Sequence, residues 1–299
     1  MKKHNSGTGR ISQIAQSQSC CRMTQESNRI AIYPLFSFEV SEGLEEKIRN
    51  GYQFSNKVKL RKISIEEIER FRKTFPLLWG DGAYLIYHIN SETYVLEIEG
   101  GNDWEEGRLV YEVVLAMRLH KPESVYYKIF RVEEGPKTIA IGSINPSIPL
   151  RYEKYVIDNE ELGKIDDLVS KITKLDLEKN NSFRVACERF SRSYEERRDD
   201  DKIIDLAIAF EALFVDKDIS KLEFMGKFVG IGCSMLLGYN SQDREEIKQF
   251  LTKTFVVRND IVHSLKLNAS IKMNNKEYTT EQFVVQLQNY LRDSIKKLI

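Results

Sequence analysis

The chain has 299 residues, enough for one large or two ordinary domains, and its 45 Lys and Arg are balanced by 45 Asp and Glu. A net charge of zero excludes a global field drawing the protein to nucleic acid or membrane, so any RNA contact has to come from a local patch. The longest apolar run, around residues 203–215, is broken by Asp205 and Glu211 and falls short of the ~20 residues a membrane span needs; a soluble, cytoplasmic protein with no membrane partner is expected.

Residues 1–28 are rich in Ser, Gln, Asn and Gly with almost no apolar periodicity, and read as a disordered leader. The start, MKKHNSGTGR, is basic but is followed by polar residues, so it does not read as a signal peptide. Cys20 and Cys21 are adjacent, as a redox or lipidation site would have them, or as two exposed thiols without a task. Cys187 and Cys233 fall on apolar helix faces and read as reduced, buried thiols. The cysteines show neither CxxC pairing nor zinc-type His spacing, so no metal or other cofactor is expected.

Residues 29–150 read as an α+β domain. Ile30 to Val40 and Val58 to Ile63 have strand composition, and the segment from Ser64 to Lys73 opens with a Ser followed by Glu67, a capping box. Ala83 to Ile89 and Thr93 to Ile98, separated by Asn90-Ser-Glu, make a hairpin candidate. Trp104 to His120 is helical in pattern, with Leu109, Val113, Val114 and Met117 on one face. Two further strands, Val125 to Val132 and Thr138 to Ile141, bracket a Glu-Glu-Gly-Pro turn. His88 in its strand and His120 at its helix end are read as packing and capping residues.

After Pro149 the strand signals stop, and residues 151–299 read as an all-α bundle. Helices are expected at about 158–175, 181–197, 200–215, 221–237, 242–264 and 279–298, the last capped by Thr279 or Thr280. Short connections make consecutive helices antiparallel neighbours. Residues 266–278 read as one long loop near the mouth of any cleft at the end of the 242–264 helix. Gly226, Gly230 and Gly232 sit inside a helix, where each costs about 1 kcal/mol relative to Ala. Close helix packing explains them, since a phosphate-cradling loop would need a preceding strand.

The 242–264 helix carries the feature that asks for an explanation. Ile247, Leu251, Thr254 and Phe255 recur at three- and four-residue intervals, and Arg258 continues their stripe. A guanidinium on a face that ought to be buried is costly unless it meets a carboxylate, a phosphate or a subunit interface. Glu211 is a second charge on an apolar stripe, with Ile204, Ile208 and Val215. One reading is therefore structural: Arg258 and Glu211 form an internal ion pair, and His263 merely ends the helix. The other is chemical. Asn259 and His263, four apart, share a face, and Arg258 lies about 140° round from His263. An imidazole serves as acid or base near neutrality, a guanidinium suits a phosphate, and Asn259 could orient the imidazole or the phosphate. Asp260 reads as solvent-facing. The arginines at 184, 189, 192, 197 and 198 are interleaved with acids and read as a solvated helix face rather than an RNA-binding one.

The Arg258-Asn259-Asp260-Ile261-Val262-His263 spacing, Arg, a polar residue, three more residues and His, resembles the active-site motif of the HEPN superfamily of helical domains, many of them metal-independent ribonucleases. The segment from Asp201 to Phe214, about fifty residues upstream and ending Phe-Glu-Ala-Leu-Phe, is similar to the helix preceding that motif in the Apea-like branch. Ala-Met-Arg-Leu-His-Lys-Pro122 is faintly similar to an element upstream of such domains. The resemblance covers about the last 120 residues. It implies a HEPN-like bundle, Arg258, Asn259 and His263 as catalytic residues with Glu211 as a supporting buried acid, RNA as substrate, and a homodimer in which two copies of the motif share one cleft. A growth-arresting toxin or phage-defence role would follow, with the α+β domain sensing or restraining through a regulatory partner. HEPN toxins controlled by nucleotidylation carry a Tyr two residues after the motif His; Leu265 stands there, which puts that control in doubt. The alternative is a non-catalytic HEPN-like module that binds nucleic acid, nucleotide or a protein partner.

Overall fold

The computed structural model describes residues 29–74, 89–100, 102–123, 125–127, 130–133, 154–215, 224–264, 270–273 and 276–299. The leader, the expected strands over 83–88 and 138–141, the domain boundary near 150 and Leu265 lie outside them. A mixed α/β region is followed by a mostly α-helical one.

The first region is built on an antiparallel sheet in the order β3 (Tyr52–Gln53), β4 (Lys59–Lys62), β5 (Tyr94–Glu99), β1 (Arg29–Phe36) and β6 (Tyr126–Tyr127), with β7 (Phe130–Glu133) also paired to β1. Successive side chains of a strand point to opposite faces, and β1 uses both. Ala31, Tyr33 and Leu35 join the main core, while Ile32 and Phe36 join a smaller cluster. The register carries this across the sheet: Ala31 stands opposite Ile98 and Tyr33 opposite Leu96. The smaller cluster includes Ile68 and Phe71 of α2 (Ile65–Thr74). The start of α2 is fixed as the capping box requires, Glu67 N–H donating to Ser64 Oγ at 3.2 Å and Ser64 N–H to Glu67 Oε2 at 2.8 Å. The same Glu67 pairs with Arg61 at 2.6 Å, which also reaches Glu97 at 2.5 Å.

On the other side of the sheet lies α3 (Asp103–His120), whose Val110, Val113, Val114, Leu115, Ala116, Met117 and Leu119 are all buried. A helix apolar around most of its circumference belongs between two layers, and here those layers are the sheet and the bundle. The core cluster accordingly runs without a break from β1 through α3 to the last helix.

The bundle comprises α4 (Asn159–Leu175), α5 (Asn181–Ser193), α6 (Asp199–Phe214), α7 (Met225–Leu237), α8 (Ser241–Ser264) and α9 (Thr280–Leu298). Capping boxes start α4 at Asp158 with Glu161 and α9 at Thr279 with Gln282, which settles Thr279 rather than Thr280 as the cap. Three elements differ from the sequence reading. Residues 266–278 are not one loop, since β9 (Ser270–Met273) and β10 (Lys276–Thr279) form a hairpin. Their apolar alternation is only Ile271, Met273 and Tyr278, too short to stand out from the charges around it. Strands also do not stop at Pro149: β8 (Tyr155–Ile157) pairs in parallel with β2 (Phe38–Val40), from Phe38–Tyr155 to Val40–Ile157, partners far apart in sequence. Between β2 and β3, α1 (Glu42–Arg49) buries Leu44 and Ile48, one turn apart, behind acids in its first turn and bases in its last.

Candidate functional site

The site is built on the last turns of α8. At about 1.5 Å per residue the helix is ~36 Å long, and Ile247, Phe250, Leu251, Thr254, Phe255, Val257 and Ile261 turn their side chains into the core. Two glycines of α7 let that helix lie directly on it. A Cβ on Gly226 would stand 2.9 Å from Phe255 Cβ, and one on Gly230 would stand 2.8 Å from the Lys248 carbonyl oxygen. These contacts make α7 and α8 antiparallel, with the start of α7 beside the motif end of α8. The third glycine, Gly232, meets Phe214 of α6 in the same way, at 2.8 Å. Close packing, as the sequence suggested, is what the glycines permit.

Arg258 is half-buried. Its Nη1 donates to Asn259 Oδ1 at 3.1 Å, while its buried Nε has no hydrogen-bond partner. Glu211, on α6, is also half-buried, and burial pushes its carboxyl above the usual range, with the positive charge of Arg258 pulling the other way. The two groups feel each other, yet among the described residues no ion pair joins them. The internal ion pair, one of the two readings of these charges, is thus present as an unclosed attraction rather than as a contact.

Asn259, Asp260 and His263 are exposed. Asn259 and His263 share a face as their spacing requires, but the hydrogen bond of Asn259 runs to Arg258. The structure therefore brings Arg258, Asn259 and Glu211 into one neighbourhood and leaves His263 one turn further on, facing solvent.

The chain matches no family model, no curated protein and no solved structure. Function has to be argued from its own geometry. Among the described residues no group of three or more His, Cys, Asp or Glu is placed to hold a metal ion, and no helix is long and apolar enough to cross a membrane.

Other features singled out in the sequence take structural roles. Cys187 and Cys233 are buried free thiols, and burial pushes Cys233 up to about 12, far from the range in which a thiolate reacts. Within the basic run Arg184 pairs with Glu188, Arg192 with Glu196 and Arg198 with Asp200 on the exposed side, as expected, whereas Arg189 reaches inward to the buried Asp205. His120 meets Glu161 at 3.3 Å. A cavity of about 260 Å³ opens between the first half of α8, the β9–β10 hairpin and α9, lined by Glu245, Glu246, Phe250, Tyr278 and Tyr290 among others; it contains none of the candidate residues.

Sequence reasoning missed two features. One is a buried hub at the junction of α3, α5 and α9. Arg118 pairs there with Glu195 at 3.1 Å and donates to the carbonyls of Ser191 and Val125, and Arg292 donates to Arg118 O, Asn289 Oδ1 and Tyr194 Oη. Its partners come from distant sequence, so no local pattern announces it. The other is the outer face of α7, whose signal, apolar residues at i, i+4, i+7 and i+11 with no acid between them, was present in the sequence.

Proposed function

We propose that the chain is a metal-independent endoribonuclease of the HEPN type, active as a homodimer, with Arg258, Asn259 and His263 of both copies acting on one RNA phosphodiester. The observation that carries this reading is Arg258 itself: a half-buried guanidinium on the motif helix whose Nε is buried without a partner and which makes no ion pair with the nearby Glu211. A donor left unmatched in the free protein loses about 1–3 kcal/mol, and a phosphate would supply the missing acceptor once the side chain turns outward.

Cleavage by attack of the ribose 2′-oxygen on the adjacent phosphorus needs a base for the 2′ proton, an acid for the leaving 5′-oxygen and positive charge at the phosphoryl oxygens. Arg258 supplies the charge, Asn259 holds the guanidinium through its Oδ1, and His263 moves a proton. One copy presents one such imidazole, so base and acid on opposite sides of the phosphorus require two copies. The resemblance to the Apea-like branch adds a toxin or phage-defence role in the cytoplasm, with the mixed α/β region as the controlling part.

A non-catalytic module that binds nucleic acid, nucleotide or protein is the second reading. It is favoured by the absence, among the described residues, of any hydrogen bond tying His263 to Arg258 or Asn259. One experiment separates the two. Purified protein is incubated with total RNA in EDTA beside His263→Ala. Cleavage by the wild type that the variant has lost supports the nuclease; equal inertness of both, with retained RNA binding, supports the module.

A further inference from the structure

The first turns of α8, the β9–β10 hairpin and α9 enclose chemistry that the motif does not use. Phe250, buried on α8, stacks at 4.6 Å on Phe283 of α9 and meets two further rings at steep angles, Tyr278 of β10 at 5.7 Å and 78° and Tyr290 of α9 at 5.5 Å and 71°. The two tyrosines are half-buried, and with Phe250 they line the cavity of about 260 Å³. A ring backed by Phe283 and flanked by two others makes three walls of a box. The face of an aromatic ring attracts a cation, and elsewhere in this chain rings take one: Lys121 lies over Tyr155 at 4.8 Å and Lys297 over Tyr239 at 5.4 Å. Among the described residues no lysine or arginine lies over these three.

Two charges of opposite sign line the same cavity from different elements. Glu246, one turn before Phe250 on α8, accepts from the neutral Gln242 at 2.8 Å and has no cationic partner among the described residues. Its neighbour Glu245 is already held, by Lys248 at 3.1 Å and Gln249 at 2.8 Å. Lys276, on β10, makes no ion pair and no side-chain hydrogen bond among the described residues, with Glu246 or with any other group. A single unpaired charge is ordinary on a surface; an acid and a base left unpaired around one aromatic-walled cavity suit a ligand that carries both signs. We infer that this cavity binds a small zwitterion of amino-acid size, its ammonium among Phe250, Tyr278 and Tyr290 beside Glu246 and its carboxylate at Lys276. The volume falls just below the ~300–1,000 Å³ of pockets that take drug-sized ligands, which suits a molecule of this size better than a nucleotide. Glu246 disfavours a plain anion, and Lys276 disfavours a plain cation. The site is independent of the motif, since Phe250 precedes Arg258 by about 12 Å along α8 at ~1.5 Å per residue.

The test is isothermal titration calorimetry of the full chain. Glycine betaine and L-valine carry both charges, the first on a methylated ammonium and the second on one that can donate to Glu246. Choline keeps only the cation, and tert-butylacetate has the shape of glycine betaine without its positive charge. At least one zwitterion should bind about tenfold or more tightly than choline and tert-butylacetate, and the tighter of the two tells a methylated amine from a free amino acid. Glu246→Gln should weaken that zwitterion about tenfold, and Lys276→Met should bring it down to the level of choline. Glu246 and Lys276 are exposed, so the unfolding midpoints of both variants should stay near wild type. Tyr290→Phe should bind as the wild type does and Tyr290→Leu about tenfold more weakly, because only the second removes a ring. The inference is overturned if neither zwitterion binds at millimolar concentration, if choline binds as tightly as they do, or if both charge variants leave the affinity unchanged. None of these readings depends on RNA cleavage, so the zwitterion site and the nuclease stand or fall separately.

Discussion

Two regions bury guanidinium groups and treat them differently. At the junction of α3, α5 and α9, Arg292 is buried and each of its three nitrogens donates to a neutral acceptor, Arg118 O at 3.0 Å, Asn289 Oδ1 at 2.5 Å and Tyr194 Oη at 2.6 Å. Arg118 beside it is 1% exposed and spends its charge on Glu195, with Tyr194 under its face at 5.6 Å. Its Nε too is without a partner, so a lone orphaned nitrogen does not by itself mark a binding site. At the end of α8, Arg258 has among the described residues one hydrogen bond, to its own neighbour in sequence, no ion pair, and an acid close enough to feel but not to touch. The first arrangement ties elements together and leaves the charge nothing more to do. The second keeps a charge poised beside solvent-facing Asn259 and His263, and a fold gains nothing from that on its own account.

The comparison is broken most sharply by mutation of Arg292. Arg292→Ala strands three acceptors, each worth about 1–3 kcal/mol when buried and unmatched, and the expected loss in denaturant unfolding is about 3–5 kcal/mol. A loss under about 1 kcal/mol would mean that the hub is ornamental. Next in size is Gly230→Ala. The new methyl would stand 2.8 Å from the Lys248 carbonyl oxygen and 3.3 Å from its Cα, both backbone, so overpacking of about 1–3 kcal/mol outweighs a helix-propensity gain of ~1 kcal/mol. Gly163→Ala on α4, where a Cβ meets nothing within 4 Å, should gain that ~1 kcal/mol instead, and the pair read together isolates the close approach that positions the motif end of α8. Arg258→Ala should change stability by less than about 1 kcal/mol, because so little is bonded to it, while abolishing RNA cleavage. A large destabilisation with intact cleavage would move Arg258 into the company of Arg292.

Much of the fold was legible because its signals are local. The capping box at Ser64, a threonine cap at 279 or 280 and the apolar stripe of α8 each declare themselves within a few residues, and the structure forms all three, with Thr279 as the cap. The stripe also predicted that Arg258 would be drawn inward, and it is half-buried. What was not legible depends on distant partners or very short elements. β8 has three residues and takes its strand character from β2, and the β9–β10 hairpin has four-residue strands anchored by the buried Ile271 and by Tyr278 against Phe250 at 5.7 Å. For the site, the spacing of Asn259 and His263 fixed their common face, but only coordinates show that Asn259 turns to Arg258 and that Glu211 stops short of an ion pair.

The smallest expected effect tests that unclosed attraction directly. Burial lifts the Glu211 carboxyl above its ordinary 4.5, and Arg258 opposes the lift without cancelling it. A carboxyl that holds its proton more tightly folded than unfolded makes the folded state bind more protons from about 4.5 upward, so its contribution to stability is complete below that value and is lost as pH rises through the folded pKa. Glu211→Gln removes the penalty, and the variant should unfold at higher denaturant than wild type at pH 7, with the advantage fading as pH falls toward 4.5. Removing the opposing charge should then sharpen the effect: in Arg258→Ala the Glu211 carboxyl should titrate at a higher pH than in wild type, followed by NMR of the side-chain carboxyl, and the gain from Glu211→Gln should grow. Had the two closed into an ion pair, the wild-type carboxyl would sit below its ordinary value, and an upward jump past it in Arg258→Ala would betray the contact. A titration indifferent to Arg258 would instead separate the two charges altogether, and Glu211 could then no longer be counted among the groups that hold the guanidinium.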